Sequence, residues 1–73
     1  MQRTYLAIFE KSATGWGAYV PDLPGLGVAA PTREEAERLI REGIEIHIAG
    51  LIEDGLPVPE PTAIGAQEIS ISA

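Results

Sequence analysis

Residues 3 to 10, RTYLAIFE, are apolar on both alternating sets, with Tyr5, Ala7 and Phe9 on one side and Leu6 and Ile8 on the other. That is the pattern of a β-strand covered on both faces. KSATG (11–15) is a turn ending in glycine, and WGAYV (16–20) is a second strand, so the first 20 residues predict a β-hairpin. The stiff corner Pro21-Asp22-Leu23-Pro24-Gly25 follows. There Pro24 presets φ and Gly25 accepts a positive φ, as a type II turn requires. LGVAA (26–30) reads as a short third strand, weakened by its small residues.

The period then changes from two to 3.6. Thr32 is placed as N-cap, with Glu35 three residues on to complete a capping box. Ala36, Leu39, Ile40, Gly43, Ile44, His47 and Leu51 form one apolar helical stripe, which Ile46 and Ile48 widen at its edges. The helix is expected to end near Glu53-Asp54, with Gly55 as C′ cap. LPVPEP (56–61) is polyproline-like. QEISIS (67–72) alternates Ile69 and Ile71 against Glu68, Ser70 and Ser72, which predicts a closing strand with one polar face. The fold class expected is therefore α+β: one β-β-β-α-β domain over residues 1–73, with a single helix packed on a mixed four-stranded sheet.

That layout leaves surface uncovered. Four strands span about 19 Å at roughly 4.8 Å each, whereas a helix is about 10 Å wide. All four aromatics (Tyr5, Phe9, Trp16, Tyr19) also fall in the first hairpin. A second copy of the chain or a different protein is expected to cover the apolar surplus. With 73 residues and no cysteine, the chain has a small core and no disulfide to reinforce it, which favours a homo-oligomer.

Charge adds a direction. The net charge is −6, and all of the excess lies late in the chain. Residues 42 to 73 hold Glu42, Glu45, Glu53, Asp54, Glu60 and Glu68 with neither Lys nor Arg. Direct nucleic-acid binding, which needs clustered cations, is not expected. A basic protein partner fits better. No apolar run reaches the roughly 20 residues of a membrane span, and the N-terminus lacks a signal-peptide pattern, so a cytoplasmic location is expected.

Catalytic motifs are weak throughout. His47 is the single histidine, with Gly43, Ile44, Gly50 and Leu51 at the ligand spacings, so it reads as a packed side chain. Ser12, His47 and Asp22 have no triad spacing. The helical charges pair at i, i+4 as Glu34–Arg38, Glu37–Arg41, Arg38–Glu42 and Arg41–Glu45, which reads as a solvated face. No catalytic residue, cofactor or metal ligand is expected.

The ordered motifs nonetheless resemble the HicB-like antitoxins. They are the first strand ending Ile8-Phe9-Glu10-Lys11, then Gly15-Trp16-Gly17-Ala18-Tyr19-Val20, then Pro21-Asp22-Leu23-Pro24-Gly25. Thr32-x-x-Glu35-Ala36, Ile44-Glu45-x-His47-x-x-Gly50-Leu51-x-Glu53-Asp54-Gly55 and Pro57-x-Pro59-x-Pro61 follow in order. The resemblance covers essentially the whole chain. It implies a partial ribonuclease-H-like fold and a role in neutralising HicA toxins, small basic ribonucleases that cleave messenger RNA, by masking their active site. Many relatives carry a C-terminal DNA-binding domain. This sequence runs to Ala73 directly after the predicted closing strand, so a short form without operator binding is expected. Its third strand also ends Ala29-Ala30-Pro31-Thr32 where many relatives have a more polar, glycine-containing turn.

The partner-binding residues expected on this reading are Glu42, Glu45, Glu53 and Asp54 with Tyr5 and Phe9; Pro21 through Gly25 are a structural turn. Two rivals stand beside it. One is a stand-alone homo-oligomer without a toxin, binding a small ligand between subunits. The other is a ribonuclease-H-type nuclease, for which Glu10, Asp22 and Glu68 are the available carboxylates but lack the clustering that two Mg²⁺ ions need.

Overall fold

A computed structural model describes residues 3–72, so residues 1, 2 and 73 of the expected domain lie outside it. Its elements are β1 (Ile8–Lys11), β2 (Trp16–Tyr19), β3 (Gly27–Ala30) and α1 (Arg33–Glu53). The three strands form one antiparallel sheet in the order β1-β2-β3. This gives an α+β architecture, with two corrections to the sheet expected from sequence.

The first concerns β1, which begins at Ile8 rather than Arg3. Ile8 pairs with Tyr19 in the antiparallel register, so Leu6 falls opposite Pro21. Proline has no N–H to continue a ladder, and the chain turns away there. The second concerns residues 67–72, which make no strand and pair with nothing in the sheet. Ile69 and Ile71 stand 76% and 82% exposed. Alternation fixes which side chains share a face but supplies no partner strand. The mixed four-stranded sheet is therefore a three-stranded, wholly antiparallel one.

Ser12 closes the first hairpin: its N–H donates to the Gly15 carbonyl at 2.8 Å. Gly15 is buried so tightly that a Cβ there would lie 2.4 Å from the Ala30 carbonyl oxygen. Pairing then places Phe9 beside Ala18 and Ala18 beside Val28 on one face of the sheet. Helix α1 lies on that face, packed on β2 and β3. Ala18, Val20 and Leu23 meet Ala36 and Ile40 there as the buried core, bordered by Tyr5, Ala7, Phe9 and Ile44. The opposite face carries Leu6, Ile8 and Tyr19 with Gly17, Gly27 and Ala29, and no helix covers it.

The helix starts and stops where its caps predict. The Thr32 hydroxyl accepts the Glu35 N–H at 3.2 Å. Glu35's carboxylate turns to Arg38 at 3.0 Å instead of closing the capping box. At the other end the Leu56 N–H donates to Leu51 O and the Gly55 N–H to Ile52 O, with Gly55 at φ 71°. That is a Schellman closure. Of the expected stripe, Ala36 and Ile40 are buried and Leu39, Gly43, Ile44, His47 and Leu51 half-buried. Ile48 widens it as expected, but Ile46 points to solvent at 73% exposure.

Candidate functional site

The PDLPG corner is two successive turns. The Leu23 N–H donates to Val20 O at 3.0 Å, and the Leu26 N–H donates to Leu23 O at 3.2 Å. Pro24 and Gly25 occupy the centre of the second, with Gly25 at φ 88°, the positive value a type II turn demands. Leu23, held between the turns, is fully buried in the core. The corner thus sets β3 against β2 and plugs the space beneath α1.

Asp22 has a further task that the sequence alone did not reveal. Its carboxylate accepts hydrogen bonds from the Thr62 hydroxyl, the Thr62 N–H at 2.9 Å and the Ala63 N–H at 2.9 Å. The Thr62 hydroxyl, followed by the Ala63 and Thr62 amides, holds the Asp22 carboxyl below the usual carboxylate range. A second tie is the Tyr5 hydroxyl, which donates to the Pro59 carbonyl. Together they bind the proline-rich segment back onto the sheet end. Thr62 and Pro59 carried no recognisable signal beyond a hydroxyl and a carbonyl in a stiff run.

Three ion pairs organise the exposed side of α1. Arg38 bridges Glu35 at 3.0 Å and Glu42 at 3.2 Å, and Arg41 meets Glu37 at 3.0 Å. The expected Glu34–Arg38 and Arg41–Glu45 pairs are not among them; Arg38 takes Glu35 one residue nearer. Glu45 lacks an ion-pair partner among the described residues, and Glu53 and Asp54 follow at the helix end. At 3.6 residues per turn, Glu42, Glu45 and Glu53 share an arc of roughly 80°. Ile46 and Ile52 are exposed at 73% and 62% in the same helical half. Acid and apolar side chains thus alternate on one open surface.

Tyr5 and Phe9 border that surface, which meets them at Glu45. They line a groove of about 430 Å³ between residues 3–9 and α1, with Ile40 and Ile44 as further apolar wall and Glu45 on the rim. It exists because α1 packs on β2 and β3 and leaves β1 uncovered. Arg33 lies over the Phe9 ring at 4.3 Å. A second hollow continues past Tyr5 and Ile44 toward Ile48 and Ile52. Arg3 lines both, and its Nε is buried with no hydrogen-bond partner among the described residues.

The remaining candidates are dispersed. His47 is half-buried in the helical stripe. Glu10 is exposed on β1, Asp22 is engaged with the tail, and Glu68 lies on the exposed segment beyond it. Among the described residues no group of three or more His, Asp or Glu side chains is placed to hold a metal ion, and no helix is long and apolar enough to cross a membrane.

Comparison with known proteins adds an independent observation. A curated relative, an uncharacterized 14.9 kDa protein in the rep-hol intergenic region of Haemophilus phage HP1, is 37% identical over 60 residues. The match takes in 82% of this chain and 45% of that protein, so the chain spans less than half of its relative. No solved structure matches. The family model described as HicB-like antitoxin of bacterial toxin–antitoxin systems matches residues 5–71. The match takes in the hairpin, the PDLPG corner, the helix and the tail that Asp22 holds, and the chain belongs to the HicB-like antitoxin family.

Proposed function

We propose that this chain is a non-catalytic antitoxin that neutralises a small basic ribonuclease of the HicA type by covering its active site. Membership of the family across residues 5–71 is the observation that carries the reading. The exposed half of α1 supports it. Glu42, Glu45, Glu53 and Asp54 supply negative charge there, and Ile46 and Ile52 supply apolar contact. Apolar burial would provide most of the affinity, while the acids raise the association rate by an order of magnitude or more at low salt. On this reading the protein works in the cytoplasm, where messenger RNA is translated. Tyr5 and Phe9 face the groove on the helix side of the sheet and are assigned to contact with another copy.

The nuclease alternative gains nothing from the fold. Its carboxylates Glu10, Asp22 and Glu68 lie on a strand, a turn and a tail, and Asp22 already accepts three hydrogen bonds from Thr62 and Ala63.

The test is association kinetics with a small basic ribonuclease of the HicA type. Raising salt from about 50 to 500 mM shortens the Debye length to about 4 Å and should slow association more than it speeds dissociation. Reversing Glu42, Glu45, Glu53 and Asp54 to Lys should reduce the association rate at least tenfold. The fold should survive: the Arg38–Glu42 pair that is lost is exposed and contributes little, and Lys at 53 and 54 suits the helix C-terminus. An association rate indifferent to both changes would remove this surface from the interface.

A further inference from the structure

The tail beyond the Asp22 clasp is exposed for its composition. Ile64, Ile69 and Ile71 are 91%, 76% and 82% exposed, and no ladder ties residues 64–72 to the sheet. The radius of gyration is 13.9 Å, whereas a compact chain of this length has about 11 Å. The accessible surface is 5614 Å², roughly 1,200 Å² above that of a folded monomer of this mass. That excess exceeds the ~800 Å² that one partner contributes to a stable interface. Five residues make up the buried core among those described. The chain therefore exposes an interface's worth of surface beyond that of a compact monomer, with Ile64, Ile69 and Ile71 in it.

The groove beside β1 has the complementary shape and chemistry. Tyr5 and Ala7, in the segment that leads into β1, and Phe9 within it stand at every second residue along the groove, the same spacing as Ile69 and Ile71. The buried Arg3 Nε lacks an acceptor, and an extended backbone offers a row of carbonyls. The clasp at Thr62 and Ala63 anchors the tail on its own copy while sending residues 64–72 away from it.

We infer that residues 67–72 form the missing fourth strand in trans, each of two copies laying Ile69 and Ile71 into the other's groove along β1. The exchange is reciprocal, so one two-fold axis closes the dimer. Strand addition gives β1 a hydrogen-bonded neighbour and covers an edge otherwise open to uncontrolled pairing. It covers the groove's rim at Glu45 and leaves Glu42, Glu53 and Asp54 exposed on both copies. The inference does not depend on the toxin.

An equal mixture of ¹³C-labelled and unlabelled full-length chains tests it by isotope-filtered NMR, with sedimentation equilibrium on the same sample. The expected result is a dimer with intermolecular contacts from the Ile69 and Ile71 methyls to the Tyr5 and Phe9 rings. Replacing Ile69 and Ile71 together by Ser should weaken dimerisation at least tenfold without loss of helical circular dichroism. Contacts confined to one copy would mean that the tail folds back on its own chain, and would overturn the exchange. So would a monomer, or a dimer joined through Leu6, Ile8 and Tyr19 on the opposite sheet face.

Discussion

The carboxylate of Asp22 and the amide and hydroxyl of Thr62, 40 residues apart in sequence, are joined by two hydrogen bonds. A turn residue thereby holds the start of the tail. Because the Thr62 and Ala63 donors hold Asp22 below the usual carboxylate range, its contribution to stability is fully present above that range. The contribution is lost as pH falls through the depressed folded value. Acidification should thus release residues 57–63 before the sheet melts. The protection factors of the Thr62 and Ala63 amides should fall on acidification ahead of that of Ala18, reading as fast exchange once the slowing of intrinsic exchange in acid is divided out. Asp22→Asn should give the same fast exchange at neutral pH, and unchanged protection there would dismiss the clasp.

Gly15 and Gly50 should respond oppositely to alanine. At Gly15 the new Cβ collides with the Ala30 carbonyl across the hairpin, so Gly15→Ala should destabilise by about 1–3 kcal/mol. At Gly50, inside α1, nothing lies within 4 Å, and Gly50→Ala should stabilise by about 0.4–1 kcal/mol. Urea melts followed by circular dichroism separate the two; equal signs would contradict the packing of the hairpin against β3.

Leu23 tests the corner itself. Its side chain is fully buried although it lies in a turn. Leu23→Ala should cost about 2–5 kcal/mol, enough to unfold much of a domain this small. Ile46→Ser, at an exposed position, should change the stability by less than about 0.5 kcal/mol. A mild effect at Leu23 would mean that the corner is only a connection.

Much of this fold is legible in the residues, and the reason is locality. Thr32, Gly25 and Gly55 act through backbone geometry within a few positions, so their caps and turns follow from spacing alone. Ala36 and Ile40 declare the buried face of α1 by period. What escapes is long-range choice. Asp22 has several possible donors in the sequence, and none of them marks Thr62. Ile69 and Ile71 announce a strand but not whose sheet it joins. Tyr5 and Phe9 read as interface aromatics, yet the position of α1 over β2 and β3 is what turns them into the wall of a groove. The acids were visible; that Ile46 stands exposed among them was not, because the helical stripe placed it at a buried edge.

The proposed antitoxin role stands or falls on whether this chain silences a small basic ribonuclease. The direct measurement is cleavage of labelled messenger RNA by a small basic ribonuclease of the HicA type, titrated with the full chain. Cleavage should fall linearly and vanish near one chain per ribonuclease, and the chain alone should leave RNA intact with Mg²⁺ or Mn²⁺ present. A ribonuclease that stays fully active in a stoichiometric mixture would contradict the antitoxin reading.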